Sequence, residues 1–154
     1  MRTRPVVLAA AVAAGVLLSH TDAHAAITVK ACSDWTNKLE ASKIVVAPDP
    51  PVVGKPLAVT WTGIVKKSIQ KGAKLVTTGK VGVFEVWRST SDLCETFKLA
   101  CQIAASPTGQ TIRADTAVQD SIPAGVTIKY RVEAYNPDDS KLFCYETELK
   151  FNRG

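Results

Sequence analysis

The sequence predicts an all-β fold, a two-sheet antiparallel sandwich of about seven strands. Three observations support this prediction. Apolar residues alternate with polar residues at period two, turn-forming residues separate the alternating segments, and no segment after Ile27 has a long helical pattern. Four cysteines follow a secretory-type leader, which is typical of a small exported domain held together by disulfides.

The start of the chain has the pattern of a secretory signal peptide. Arg2 and Arg4 precede an apolar run of 13 residues, and a small-x-small cleavage signal ends at Ala25. The run is shorter than the roughly 20 apolar residues that cross a bilayer, which argues against a membrane anchor. We therefore expect a signal peptide at 1–25 and one folded domain at 26–154. We also expect the protein to be secreted or to reside in the endomembrane lumen, such as a vacuole or lysosome-like compartment.

Removal of the leader changes the charge and the chemistry of the chain. It takes away both histidines and leaves 17 basic and 13 acidic residues, a formal charge of +4. No basic run is denser than Lys66-Lys67, which is unlike a nucleic-acid-binding protein but compatible with attraction to an anionic membrane surface. We expect a monomer that contacts membranes transiently and binds no nucleic acid.

The four cysteines allow three disulfide pairings. Cys94 and Cys101 lie seven residues apart across a short loop, a spacing that favours their pairing. The remaining pair, Cys32 and Cys144, would join the first element of the domain to its last strand and stabilise the fold by about 4 to 5 kcal/mol in the loop-closure model. A metal site is the weaker alternative, because histidine and a Cys-x-x-Cys pair are both missing after position 25.

The first half of the domain contains three predicted strands. Short segments at 27–31 and 43–47 precede a proline-rich and glycine-containing connector, 48–56, that cannot be helical. In the next segment, 57–66, every second residue up to Trp61 is apolar, which predicts a half-buried strand.

Two further strands are predicted in the middle of the domain. The segment 81–87 is apolar on both parities except at Glu85, which predicts a strand that is buried on two sides or carries a bulge. In the segment 112–119, Ile112, Ala114 and Val118 alternate with polar residues, and the segment ends before the turn formers of 122–125.

The last two strands have the clearest pattern. In 126–134 and in 143–151, apolar and aromatic residues occupy one parity and mostly charged residues the other. The segment 136–140 between them is rich in proline, aspartate and asparagine, so the two strands are predicted to form a hairpin.

Several ordered motifs of this domain resemble those of a known family. The chain resembles the ML (MD-2-related lipid-recognition) domain family, with features of its phosphatidylglycerol/phosphatidylinositol transfer protein and Niemann-Pick type C2 branches. The motifs, in chain order, are Asp92-Leu93-Cys94-Glu95, Leu99-Ala100-Cys101-Gln102-Ile103, Ile122-Pro123-Ala124-Gly125, Asp138-Asp139 and Leu142-Phe143-Cys144-Tyr145.

The resemblance implies an immunoglobulin-like sandwich whose two sheets hold one phospholipid or sterol between them. It also implies the disulfides Cys32–Cys144 and Cys94–Cys101. The chain lacks the additional small-loop disulfide and the proline-rich run of the sterol carrier, and has Val86-Trp87-Arg88 in that place. The resemblance therefore supports a lipid ligand more firmly than it supports a sterol.

Apolar residues on the inward faces of the strands are the candidate lipid-binding residues. Burying an acyl chain of roughly 16 carbons against them offers about 13 kcal/mol of gross transfer free energy. The alternative is that they pack on one another, as in an immunoglobulin-like adhesion or recognition module with a filled core. The candidates are Val59, Trp61, Val81, Val83, Trp87, Ile112, Ile128, Tyr130, Val132 and Leu149.

Cationic side chains near these residues have two interpretations. The resemblance places Trp87 and Arg88 near the cavity mouth, where an aromatic ring and a cation suit a phosphate headgroup or a membrane interface. They could equally be a core tryptophan and a solvated arginine. The loop lysines Lys66, Lys67, Lys71 and Lys74 could contact anionic lipid, or only keep the surface soluble.

Catalytic chemistry has little support in the sequence. No histidine follows position 25, Asp138 and Asp139 are adjacent in a predicted turn, and the glutamates of the last strands fall on the wet faces. We expect no catalytic residues, no cofactor and no metal, and hence a protein that is not an enzyme.

Overall fold

The computed structural model describes residues 27–154, which form two antiparallel sheets that face each other. The predicted signal peptide at 1–25 lies outside the described residues. The large sheet has the strand order β1-β8-β7-β4-β5, and the small sheet has the order β2-β3-β6. The elements are β1 (Val29–Ala31), β2 (Leu39–Ala47), β3 (Pro56–Val65), β4 (Lys74–Val81), β5 (Phe84–Asp92), α1 (Leu93–Thr96), β6 (Ser106–Ala117), β7 (Thr127–Tyr135) and β8 (Lys141–Lys150).

The predicted all-β sandwich is confirmed, with eight strands rather than about seven. The strand that sequence reasoning missed is β4, where threonines and Gly79 weaken the alternation of apolar and polar residues. The prediction of one strand over 81–87 is wrong. A turn at Gly82, whose φ is +59°, divides this segment between β4 and β5, because glycine adopts a positive φ without strain.

The predicted hairpin of the last two strands is confirmed as β7 and β8. Its turn also holds the loop before β4 through Asn136, which is fully buried. The Asn136 Oδ1 accepts a hydrogen bond of 3.0 Å from the Gln70 backbone N–H, and the Asn136 Nδ2 donates one of 3.0 Å to the Ser68 carbonyl. Since buried polar groups need partners, this pair of bonds fixes the loop against the hairpin.

Both disulfides favoured by the spacing are present. Cys32–Cys144 joins the start of the described chain to β8, and Cys94–Cys101 joins α1 to the loop that follows it. The Asp92 side chain caps α1 by accepting a hydrogen bond of 2.9 Å from the Glu95 backbone N–H. Within 27–154, no helix is long and apolar enough to cross a membrane.

The buried apolar side chains form two clusters rather than one. The first cluster lies at the end of the sandwich that carries α1 and its disulfide. It contains Leu39, Trp61, Val65, Ile69, Ala73, Leu75, Leu93, Cys94, Ala134 and Leu142. The second cluster lies at the opposite end and contains Val118, Ile128, Tyr130, Leu149 and Phe151.

Candidate functional site

The candidate site is the space between the two sheets, midway between the two clusters. Val59 faces this space from β3, the central strand of the small sheet, and Val132 and Thr77 face it from paired interior strands of the large sheet. Inward residues on central strands of a filled sandwich are fully buried. These three are only half-buried, and Val59 packs against neither cluster. The inner faces therefore keep some accessible surface at this level, although Val132 also packs against the first cluster.

One end of the intersheet space is closed by hydrogen bonds that join the sheets. The Tyr145 hydroxyl of β8 donates a hydrogen bond of 2.6 Å to the Leu39 carbonyl of β2. The same hydroxyl accepts a hydrogen bond of 3.4 Å from the Trp61 Nε1 of β3. We call this group the Tyr145 link. It adds polar contacts between the sheets at the side of the first cluster.

The other end is lined by aromatic rings. Tyr130 contacts Trp87 and Phe151 edge to face, with ring centroids 5.9 and 5.7 Å apart. Burial disfavours the phenolate and raises the pKa of Tyr130 to about 12. No hydrogen bond joins the Tyr130 hydroxyl to another side chain or to the backbone of residues 27–154, and the oxygen keeps some accessible surface although the residue is only 7% exposed.

The structure brings nine of the ten predicted lining residues to the inner faces. Four are buried, and five are half-buried. The buried residues are Trp61, Ile128, Tyr130 and Leu149, and the half-buried residues are Val59, Val81, Trp87, Ile112 and Val132.

The prediction that Val83 faces inward is wrong. This residue is 84% exposed, because it lies in the turn between β4 and β5 beyond the edge of the sandwich. The predicted lining set also leaves out three residues of the inner faces, Val46, Thr77 and Tyr145. Tyr145 was placed on the apolar parity of the last strand, which was the available signal. Thr77 had none, because it is polar and lies in the strand that was not predicted.

The charged groups near the site are mostly paired with each other. Arg88 donates hydrogen bonds of 2.8 and 3.0 Å to the two carboxylate oxygens of Glu85, on the exposed surface of β5. This pair lowers the pKa of Glu85 and raises the pKa of Arg88. Lys66 pairs with Glu40, and Lys74 pairs with Asp139. Arg88 is thus a solvated, paired arginine.

An ion-pair network covers the outer face of the large sheet. The Arg131 guanidinium lies 2.6 Å from Glu133 and 3.0 Å from both Asp34 and Glu146. These hydrogen bonds raise the pKa of Arg131 and lower that of Asp34. One arginine hydrogen-bonds three surface carboxylates, which is typical of a structural ion-pair network rather than of a carboxylate prepared for acid–base chemistry.

Two surface cavities lie outside the intersheet space. One, of about 880 Å³, runs along the β1–β8 edge between Pro50 and Glu148 and has a mixed, charged lining. The other, of about 370 Å³, lies beside Gly54 and Asp120. Of the predicted lining residues, only Leu149 borders either of them. Both linings mix apolar with charged side chains and therefore fit an acyl chain less well than the inner faces do.

Comparison with known sequences identifies related proteins. The family model described as ML domain matches residues 26–151. A phosphatidylglycerol/phosphatidylinositol transfer protein of Candida albicans is 31% identical over 116 residues, which cover 73% of this chain and 59% of that protein. The corresponding protein of Aspergillus oryzae is 32% identical over 119 residues, covering 73% and 65%. The chain therefore spans 59% to 65% of the length of these two relatives.

Solved structures show the same fold. A Niemann-Pick type C2 protein from Japanese carpenter ant superimposes with a TM-score of 0.61 at 13% identity, over 81% of this chain and 99% of that one. Chicken MD-1 complexed with lipid IVa gives a TM-score of 0.62 at 13% identity, over 80% and 88%. With the family model covering nearly the whole described domain, the chain belongs to the ML domain family.

Proposed function

We propose that this protein binds one lipid, a phospholipid or a sterol, between its two sheets and exchanges it with membranes. The observation that carries the proposal is the partial exposure of Val59, Thr77 and Val132, inward residues on interior strands of both sheets. The transfer activity named for the fungal relatives and the lipid named with chicken MD-1 support it. No catalytic step is included.

The chemistry of the inner faces suits a hydrocarbon tail. The half-buried side chains are mostly aliphatic, and the charged groups of β7 and β8 lie on the outer face. Each methylene that leaves water for this space contributes about 0.8 kcal/mol. The Tyr130 hydroxyl supplies one polar group for the ligand at the aromatic end. Two disulfides suit an oxidising compartment, and we propose that the protein acts outside the cell or in the endomembrane lumen.

The alternative is a recognition module with a filled core, and the substitution Val59→Trp separates the two. If the intersheet space accepts a lipid, the indole occupies that space and lowers lipid uptake at least tenfold, with little change in the free energy of unfolding. If the core is filled, the larger side chain overpacks it and costs about 1 to 3 kcal/mol. The measurements are native mass spectrometry of bound lipid and urea denaturation.

A matched control comes from the same sheet. Val45 is 42% exposed and precedes Val46, the residue of β2 that pairs with Val59. Its side chain therefore lies on the outer face of the small sheet, and Val45→Trp adds the same side chain outside the sandwich. It should leave both lipid uptake and stability unchanged. The proposal fails if a folded Val59→Trp protein carries as much lipid as the unsubstituted chain.

A further inference from the structure

We propose that the tip of the β4–β5 hairpin, residues 82–86, inserts into the surface of an anionic phospholipid bilayer. We call this segment the hairpin tip. The inference rests on the proposed lipid-transfer function in one respect: it names the membrane element through which the intersheet site receives its ligand.

The hairpin tip exposes a concentration of apolar side chains. Val83 is 84% exposed, Phe84 is 75% exposed and Val86 is 51% exposed. Three large apolar residues within four positions form a contiguous exposed patch, which is costly in water and marks a surface that meets a partner. The positive φ of Gly82 allows the tight turn that presents them, and the register shift after Gly79 moves Val86 out of the regular pairing.

A further apolar residue extends the patch. β4 pairs with β7 as far as Lys80 and Lys129. Val83 follows Lys80 by three residues and Val126 precedes Lys129 by three, so both project from the same end of the large sheet. Val126 is 38% exposed. The apolar surface thus belongs to the end of the sandwich, not to one loop alone.

Positive charge lies directly behind this apolar surface. Lys80 and Lys129 are cross-strand partners on the outer face of the large sheet, and neither forms a salt bridge within residues 27–154. Each lysine also has a glutamate opposite it in a strand pair, Glu85 for Lys80 and Glu148 for Lys129. Glu85 is already paired with Arg88, and Glu148 forms no salt bridge within residues 27–154. An apolar tip backed by unpaired cations is complementary to a bilayer interface that contains anionic headgroups.

The position of the hairpin tip connects the membrane with the candidate site. Trp87 follows the tip in β5 and packs against the second cluster, edge to face with Tyr130. When Val83 and Phe84 lie among the lipid headgroups, the aromatic end of the intersheet space therefore faces the bilayer. A lipid tail can then leave the membrane without crossing bulk water.

The test is sedimentation of the protein with phosphatidylcholine vesicles prepared with and without phosphatidylglycerol. Phe84→Ser should lower the partition coefficient onto both vesicles about tenfold. Lys80→Gln should lower it about fivefold, on the vesicles with phosphatidylglycerol only. Ile64→Ser is the matched control, because Ile64 is 36% exposed on the small sheet, and it should change neither value.

Insertion depth and ligand binding are measured separately. In a Val83→Trp protein, brominated lipids should quench a larger fraction of the tryptophan fluorescence than in the unsubstituted chain, whereas in a Val45→Trp protein the quenched fraction should not rise. In solution without vesicles, the Phe84→Ser protein should bind a monomeric short-chain fluorescent phosphatidylglycerol as well as the unsubstituted chain does. If the unsubstituted chain fails to bind this lipid while the tip still partitions onto vesicles, the proposed function is wrong and the inference stands.

Two results would overturn the inference. One is equal vesicle partitioning of the Phe84→Ser and unsubstituted proteins. The other is light scattering that shows a Phe84-dependent dimer without vesicle binding, which would assign the patch to a second copy of the chain.

Discussion

The Tyr130 phenol shows how burial of one side chain links structure to pH. Its pKa is raised to about 12 because the inner face excludes water from the phenolate. The folded protein therefore keeps this proton above pH 10, where an unfolded chain releases it. The stability associated with the neutral phenol is fully present below pH 10 and is lost as pH rises toward 12.

The substitution Tyr130→Phe should remove this part of the alkaline loss of stability. Between pH 10 and 12 the free energy of unfolding of the unsubstituted chain should fall further than that of the variant, by up to about 2 to 3 kcal/mol. A tyrosinate absorbance titration should also lose one transition near pH 12 and retain that of Tyr135, whose pKa is raised to about 12 by burial and by its hydrogen bond to Glu133. Identical titration curves would contradict the assigned environment.

Individual inward residues are predictable where a regular strand carries them. Tyr130 and Leu149 lie on the inner face, as predicted, because buried and exposed residues alternate around them in β7 and in the last part of β8. The prediction for Val83 is wrong because this residue lies in a turn, beyond the last paired residues, where neither face is covered by the other sheet. Its apolar side chain extended the apolar pattern of the neighbouring strand. A protein surface that binds a bilayer uses the same residue types as a core, so composition alone does not separate the two.

At the scale of elements, the backbones of the paired strands β2 and β3 approach each other closely at Gly63. A Cβ atom there would lie 2.0 Å from the Glu40 carbonyl oxygen and 2.9 Å from the Ala41 Cα. Both neighbours are backbone atoms of the paired strand, so they cannot rotate away as a side chain would. The register shifts in both strands adjoin this point.

The substitution Gly63→Ala should therefore separate β2 from β3 locally and destabilise the domain by about 2 kcal/mol or more. The measurement is the midpoint of urea denaturation. Gly109→Ala is the control, because the nearest atom to its added Cβ is 4.0 Å away and β6 tolerates alanine. Equal midpoints for the two variants would show that β2 and β3 approach each other less closely.

A strand was predictable from the sequence where one of its faces is buried and apolar and the other is exposed and charged. The β7–β8 hairpin has one dry face and one charged face, and its turn residues are explicit, so the sequence predicts it well. β4 lies between β5 and β7, and Thr77 and Gly79 occupy its inward parity. A Cβ atom at Gly79 would lie 3.3 Å from the Ile128 Cγ2 and 3.6 Å from the Trp87 ring, so neighbouring side chains already fill this position. The pattern failed there because other strands supply the apolar side chains that cover β4.

At the scale of the whole molecule, the two disulfides constrain the unfolded chain to different degrees. Cys32 and Cys144 are separated by 112 residues, whereas Cys94 and Cys101 are separated by 7. Loop-closure entropy grows with the logarithm of this separation. The long-range disulfide therefore contributes more of the stability of the sandwich, although the short one holds α1.

Replacing Cys32 and Cys144 together by serine should lower the free energy of unfolding by about 4 to 5 kcal/mol. Replacing Cys94 and Cys101 should lower it by about 2.5 kcal/mol. Chemical denaturation of the two double variants measures the difference. A larger loss for the short-range pair would show that α1, rather than closure of the chain, dominates stability.

The sequence predicted the sandwich and most of its inner residues, but not the distance between the sheets. Alternation indicates which parity avoids water, and it does so equally for a filled core and for a lined cavity. The division into two clusters depends on how β3 of the small sheet packs over β4 and β7 of the large sheet. This packing is a property of the assembled sheets.

The Tyr145 link implies one orientation of the proposed lipid between the sheets. Since β8 is bonded to β2 and β3 on one side only, a guest that enters past Trp87 comes to rest with its methyl terminus toward Trp61 and its headgroup outward. The tail of such a guest would point away from the bilayer on which the protein docks, opposite to its direction in the leaflet. Uptake and delivery would then each require the lipid to turn over, and the depth to Tyr145 would set the longest chain that is accommodated.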